Sequence, residues 1–269
     1  MRALRGVLPL LLLLTAVIPA AAAEHPSLAR ARVLYNAADY DGAIDAASAA
    51  LGDPASVSAA TLVTARAHLE LYRIKLDPAD LARARTALGA IGAAGLTPRD
   101  HLDLLVGLGQ ALYLGETFGA AAELFDVALS RRSSMGERDQ LALLDWWATA
   151  VDREAWTRPV DRRQALLEQV RVRMEEEVRR DPGSPVANYW LAASARGAGD
   201  LERAWAAAIA AWVRAPLRPD TVALLRADID RFVGEVLVPE RARSRTEQDA
   251  DEAVALLRSE WNTLKSQWQ

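Results

Sequence analysis

From residue 24 onward, apolar positions recur every three or four residues, and strict alternation is almost absent. Leu105, Leu108 and Leu112 follow this spacing, and so do Phe118, Ala121, Phe125 and Leu129. Such a repeat gathers side chains on one face of a helix. Breakers interrupt it about every 20 residues, the length of one helix and a turn. They are Asp53-Pro54, Asp77-Pro78, Thr97-Pro98, Pro159, Asp181-Pro182-Gly183-Ser184-Pro185, Arg218-Pro219-Asp220 and Pro239. Several place a capping side chain just before a proline, which suits the N-cap and first helical positions. Thr97-Pro98-Arg99-Asp100 and Asp77-Pro78-Ala79-Asp80 read as capping-box variants. The pattern predicts an all-α fold of six antiparallel helical hairpins, over 26–51, 56–91, 98–131, 138–180, 184–214 and 220–264.

Composition strengthens this reading. Alanine fills about one-fifth of the 269 residues, and Lys75 and Lys265 are the only lysines. Alanine, leucine and arginine are strong helix formers. Few stretches combine the Val, Ile, Thr and aromatic residues that a sheet favours. With 51% hydrophobic residues the chain is too apolar for disorder and long enough for a sizeable core. The formal charge of -4 leaves no basic footprint for nucleic acid. The absence of cysteine excludes disulfides, thiolate metal sites and a lipid-modified cysteine.

The first 23 residues differ in kind. Arg2 and Arg5 precede an apolar stretch over 6–19, with leucine at every position from 10 to 14. Pro19 ends it, and Ala21-Ala22-Ala23 offers small residues for cleavage. The expectation is a secretory signal peptide, cleaved near Ala23, with a periplasmic or secreted chain from Glu24. A retained membrane anchor is the alternative, and it would need about 20 spanning residues. Removing residues 1–23 takes away two arginines and no acid, which leaves a formal charge of -6.

Within the helical pattern a repeat emerges. Leu105-x2-Leu108-Gly109-x2-Leu112, followed by Ala121-x3-Phe125, resembles the tetratricopeptide repeat. Asn188-x2-Leu191-Ala192-x2-Ala195, then Ala204-x3-Ala208 and Pro216, resembles it with small residues in bulky slots. Ala31, Ala43 and Ala47 fill the small slots near the N-terminus. Ala31 to Ala43, Gly109 to Ala121 and Ala192 to Ala204 are each twelve apart, where two helices of a hairpin cross closely. The resemblance covers about half of the chain. It departs from the family in spacing. The intervals of 78 and 83 between these units are not multiples of the usual repeat of about 34 residues. The hairpins 56–91 and 138–180 match poorly.

The resemblance implies a right-handed solenoid over 24–269 as a single domain, with a concave groove that binds a protein or peptide segment. Its groove slots fall on Arg32 and Tyr35, on Gln110 and Tyr113, and on Tyr189, Trp190 and Arg196. If Trp147-Ala148 fills the Leu-Gly slots, Asp145, Trp146, Thr149, Asp152 and Arg153 join them. Tyr, Trp and Arg are favoured binding anchors. No Lys/Asn cluster matches the family's carboxylate clamp. Segment 220–269 reads as a capping element. Within it Ala250, Val254, Leu257, Trp261, Leu264 and Trp268 form a heptad stripe, either a cap for the last hairpin or a homodimer seam over 250–268.

Catalytic motifs are missing: there is no H-E-x-x-H, G-x-S-x-G or phosphate loop. His25, His68 and His101 stand apart in sequence and read as solvated or packed residues. Asp228-x-Asp230 lies in an amphipathic helical run, not a calcium loop. Trp147, Trp205 and Trp212 read as fillers between alanine-rich helices. The expectation is a non-enzymatic scaffold of the cell envelope that binds a partner segment, without metal, cofactor or nucleic acid. The alternative is a small-molecule-binding accessory protein of an envelope transport system.

Overall fold

The computed structural model describes residues 24–92, 96–131, 135–217, 222–245 and 250–268. The expected leader, 1–23, lies outside the described residues. Every regular element among the described residues is helical. α1 (Pro26–Asn36) pairs with α2 (Tyr40–Ser48), α3 (Val57–Lys75) with α4 (Pro78–Ala90), and α5 (Pro98–Leu114) with α6 (Phe118–Ser130). α7 (Glu137–Trp156) pairs with α8 (Val160–Arg180), and α9 (Pro185–Gly197) with α10 (Leu201–Arg214). The C-terminal part holds α11 (Val222–Phe232), a π-turn (Val233–Leu237), α12 (Val238–Arg245) and α13 (Ala250–Gln267). No helix among the described residues is long and apolar enough to cross a membrane.

Local chemistry explains most boundaries. Thr97 accepts the Asp100 backbone N–H at 3.1 Å, and Asp100 accepts the Thr97 N–H at 3.3 Å, a complete capping box. At α4 the reciprocal half is missing. Asp77 caps the Ala79 N–H at 2.9 Å, but Asp80 turns to the His68 ring at 2.9 Å and to Arg83 at 3.1 Å. Pro239, expected to end a helix, does not. The π-turn just before α12 widens the backbone and relieves the clash of a proline ring with the carbonyl four residues back. The turns after α1, α3, α5 and α9 share one device, a left-handed residue at Ala38, Leu76, Glu116 and Gly199.

Each helix packs against the next in sequence, and α1–α3, α3–α5, α7–α9 and α9–α11 also touch. The core is a chain of four clusters, each drawn from neighbouring helices. At the expected crossings Ala31, Ala43, Ala121, Ala192 and Ala204 are completely buried. The tightest approach is at Gly109, where an added Cβ would lie 2.5 Å from the buried Phe125 ring. The later even-numbered helices are joined by charge. Arg173 of α8 binds Asp126 of α6 at 2.6 Å, Arg203 of α10 binds Glu175 of α8, and Arg241 of α12 binds Glu202 of α10.

The heptad stripe of α13 faces inward. Leu257 and Trp261 are buried, and Val254 and Leu264 pack beside them. The Trp261 ring meets Trp212 at 5.4 Å and Trp205 at 6.0 Å. Its indole N–H donates to Asp230 at 2.7 Å. Leu256 on this helix and Trp268, the stripe's last member just beyond its end, are exposed.

Two glycine substitutions with opposite signs test the packing. Gly109→Ala forces its methyl group into Phe125, and overpacking outweighs the better helix propensity of alanine by about 1–2 kcal/mol. Gly89→Ala, with nothing near its Cβ, stabilises by about 0.5–1 kcal/mol. Urea unfolding of both variants beside the wild type should lower one midpoint and raise the other.

Candidate functional site

The odd-numbered helices are linked by a ladder of side-chain contacts, and the sequence-predicted groove residues lie along it in separate groups. The first group surrounds a cavity of about 570 Å³ between α1, α3, α5 and the start of α7. Arg32 reaches across from α1 to Asp100 of α5 at 2.7 Å and to Glu24 at 2.8 Å. Tyr35 supports the Arg66 guanidinium, whose carbon lies 4.7 Å from the ring centre, and meets the Tyr40 ring at 5.6 Å. Arg66 continues to Asp103 at 3.0 Å, and Arg99 joins Asp139 of α7 at 2.9 Å. Burial alone would raise the Asp100 carboxyl. Hydrogen bonds from Thr97 and Arg32 outweigh it and hold the pKa below its ordinary value. Arg32 is therefore a brace between α1 and α5 as well as a wall of the cavity.

The second group is mostly packed. Gln110 is buried in α5. Tyr113 is half-buried edge-on against Trp146 at 5.0 Å and Phe118 at 5.3 Å. Arg73 of α3 lies over the outer side of this cluster, 5.2 Å from the Trp146 ring centre.

The third group lies where α7 meets α9. Asp145, Thr149, Asp152, Arg153 and Trp156 occupy one open or half-open stripe of α7. Trp190 is buried and donates its indole N–H to Asp145 at 2.8 Å. Trp156 does the same for Asp152 at 3.2 Å, one turn along the same helix. Thr149 returns its hydroxyl to the Asp145 carbonyl at 2.8 Å. Tyr189 stacks edge-on between Trp190 at 5.4 Å and Phe232 at 5.8 Å. Arg196 lies over Trp156 and is clamped by Glu240 at 2.9 and 2.5 Å.

Electrostatics sets this third group apart. Asp145 is exposed to solvent, yet the surrounding protein is close enough to displace part of its hydration. Desolvation raises its carboxyl pKa against the Trp190 hydrogen bond, and the charge of Asp228 adds to the rise. Desolvation also raises Asp152, opposed by Trp156, Arg153 and Arg196. The Tyr189 hydroxyl is pushed up to about 12, first by burial and then by Asp228, Asp145 and Asp152. Neither Asp145 nor Asp152 has an ion-pair partner among the described residues.

Several residues here were not anticipated from the sequence. Arg66, Asp100 and Asp103 build the first cavity, and Trp156, Asp228 and Phe232 complete the third group. The Asp152–Trp156 pair has the i, i+4 spacing that could have revealed it. The His68–Asp80 contact spans a hairpin, so its two members stand apart in sequence. A further cavity of about 750 Å³ opens between α6, α7 and α8, floored by Trp147, Val151 and Leu166. Among the described residues no His, Asp and Glu group is arranged to hold a metal ion. Comparison with models of known protein families finds no match, and comparison with curated proteins finds no similar sequence.

The two types of carboxylate respond oppositely to pH. Asp145 and Asp152 have folded pKa values above the unfolded ones, so their ionisation opposes folding. That opposition is absent below about pH 4 and grows as pH rises through the folded pKa. Asp145→Asn and Asp152→Asn keep an oxygen for the indole N–H. Their Tm should exceed that of the wild type near pH 7, and the gain should vanish near pH 3, as read by scanning calorimetry.

Asp100 has the reverse sign: its stabilisation is present above the unfolded value and is lost as pH falls through the lowered folded one. Arg32→Ala leaves Asp100 buried with one partner fewer. The expected loss is about 2–3 kcal/mol near neutrality, shrinking in acid, by urea unfolding at several pH values.

Proposed function

We propose that this chain is a non-catalytic binding protein of the cell envelope, exported by its N-terminal leader. In this reading its hairpins stack as a tetratricopeptide-like solenoid, and the odd-numbered helices form the surface that receives a partner segment. One observation carries the reading. Ion pairs tie helices together on both faces of the array, and α7 departs from that pattern. α6, α8, α10 and α12 are tied to each other by Arg173–Asp126, Arg203–Glu175 and Arg241–Glu202, and α1, α3, α5 and α7 by Arg32–Asp100, Arg66–Asp103 and Arg99–Asp139. On the odd side α7 leaves aromatic and carboxylate groups open, at the expense of stability. Groups retained against stability are characteristic of binding surfaces.

The twelve-residue register, the fully buried alanines at each crossing and the recurring left-handed turns support the solenoid part. The cavity of about 570 Å³ favours a second reading, an accessory protein that binds a small molecule for envelope transport. The docking reading is preferred because the open stripe of α7 extends over several turns.

Photo-cross-linking in the native host tests the docking surface. A cross-linking residue at Thr149 or Arg153 should yield an adduct with a distinct protein. The same residue at Val172 or Arg179, exposed on α8, should not. Absence of adducts from α7, or equal adducts from both helices, would overturn the proposal.

A further inference from the structure

The chemistry of the partner can be read from the α7 stripe, and this step rests on the docking reading above. Asp145 and Asp152 are seven residues apart, two turns along one helix face, which separates them by about 10 Å. Each is held by one indole N–H, from Trp190 and Trp156, and neither has an ion pair among the described residues. Tyr189 of α9 faces both, with Asp228 of α11 as a third nearby negative charge.

Two of the cations around this surface, Arg196 and Arg231, are paired from within. Glu240 clamps Arg196 through two guanidinium nitrogens. Arg231 lies 3.7 Å from Asp228. Arg163 is stacked on Trp156, its guanidinium carbon 4.7 Å from the ring centre. Arg153, beside Asp152, has no ion-pair partner among the described residues, and neither has Arg163. The surface therefore presents two carboxylates of fixed spacing, beside an aromatic ring, with no direct ion pair among the described residues, while Arg153 and Arg196 lie near enough to Asp152 to be felt by it.

We infer that this face docks a basic segment of a protein partner, in which two Lys or Arg side chains about 10 Å apart reach Asp145 and Asp152 beside Tyr189. In a segment with polyproline-II geometry, three residues per turn and about 3.1 Å per residue, that distance corresponds to basic residues three positions apart on one face. The indole hydrogen bonds hold the carboxylates in place, so little side-chain ordering is required on binding. An ammonium or guanidinium group arriving here also gains the face or hydroxyl of Tyr189.

The test is a tryptophan-fluorescence titration of the purified protein at low ionic strength, since Trp156 and Trp190 contact the two carboxylates directly. The probe is a short Gly/Ser peptide with blocked ends and two lysines three positions apart. Saturable binding is expected, weakened by salt and absent when both lysines are replaced by glutamate. Asp145→Asn combined with Asp152→Asn should weaken it by about tenfold or more. Arg153→Ala should strengthen it several-fold, an effect that a merely structural role for this residue would not produce.

Equal binding by wild type and the double variant, or no response to the dilysine peptide, would overturn the inference. So would a free linear diamine of the same span binding as tightly as the peptide, because the site would then select a small dication and not a protein segment. The double variant is expected to be the more stable protein, so loss of binding cannot be traced to unfolding. If the peptide fails while cross-links from Thr149 and Arg153 persist, the docking surface stands and only its charge chemistry falls.

Discussion

At Gly109 the backbone of α5 comes so near the Phe125 ring that one methyl group would not fit between them. Close approach of this kind governs the whole chain. Alanine buries little area, so an alanine-rich helix gains cohesion only by coming very near its neighbour. Ala31, Ala43, Ala121, Ala192 and Ala204 make those approaches and are completely buried. Where alanine cannot fill the space, tryptophan does. Trp147 fills the middle of the array, and Trp212 and Trp261 pack together under α13. Because each cluster is shared by neighbouring helices alone, the last one requires a closing element, and α13 supplies it with Leu257 and Trp261.

The same closeness positions the candidate site. Tight hairpins set successive odd-numbered helices side by side, which brings residues distant in sequence into contact. Arg32 meets Asp100 across 68 positions, and Trp190 meets Asp145 across 45. These contacts differ in what they do for stability. The Arg32–Asp100 pair keeps a buried carboxylate ionised and favours the fold. The Trp190–Asp145 bond satisfies one lone pair, yet burial still raises that carboxyl. A single neutral donor does not replace the water that the surrounding protein displaces.

What could be read from the sequence was local. Proline after a capping residue marked the starts of α4, α5 and α9, since both the cap and the fixed proline φ act within one turn. The twelve-residue spacing of small residues located three hairpin crossings because steric closeness restricts the residue type there. The left-handed turns at Ala38, Leu76 and Glu116 were hidden, because these residues share one backbone state and no side-chain property. The group around Asp145 was named nearly in full from the repeat resemblance, but its organisation was not visible. Which side of α7 stays open depends on how α9 leans on it, and Gln110 and Trp190, placed in the groove by the same reasoning, are buried by their neighbours. Pro239 shows the converse limit: a breaker within reach of a π-turn need not break.

The carboxylates of α7 that bond to indoles and not to cations bear most directly on function. Thirty-two basic residues face 36 acidic ones in this chain, so partners for a carboxylate are plentiful. On α8, Arg171 alone engages both Glu168 and Glu175. On α7 an arginine follows Asp152 immediately, and still Asp152 bonds to an indole. Adjacent residues on a helix diverge by about 100°, so Arg153 projects away from the axis on which Asp152 meets Trp156. Exchanging an indole for a guanidinium at either carboxylate would relieve the desolvation that now opposes its ionisation. The fold keeps the indoles, which hold the oxygens in place without forming an ion pair, and in the proposed reading a cation from a partner completes that pairing.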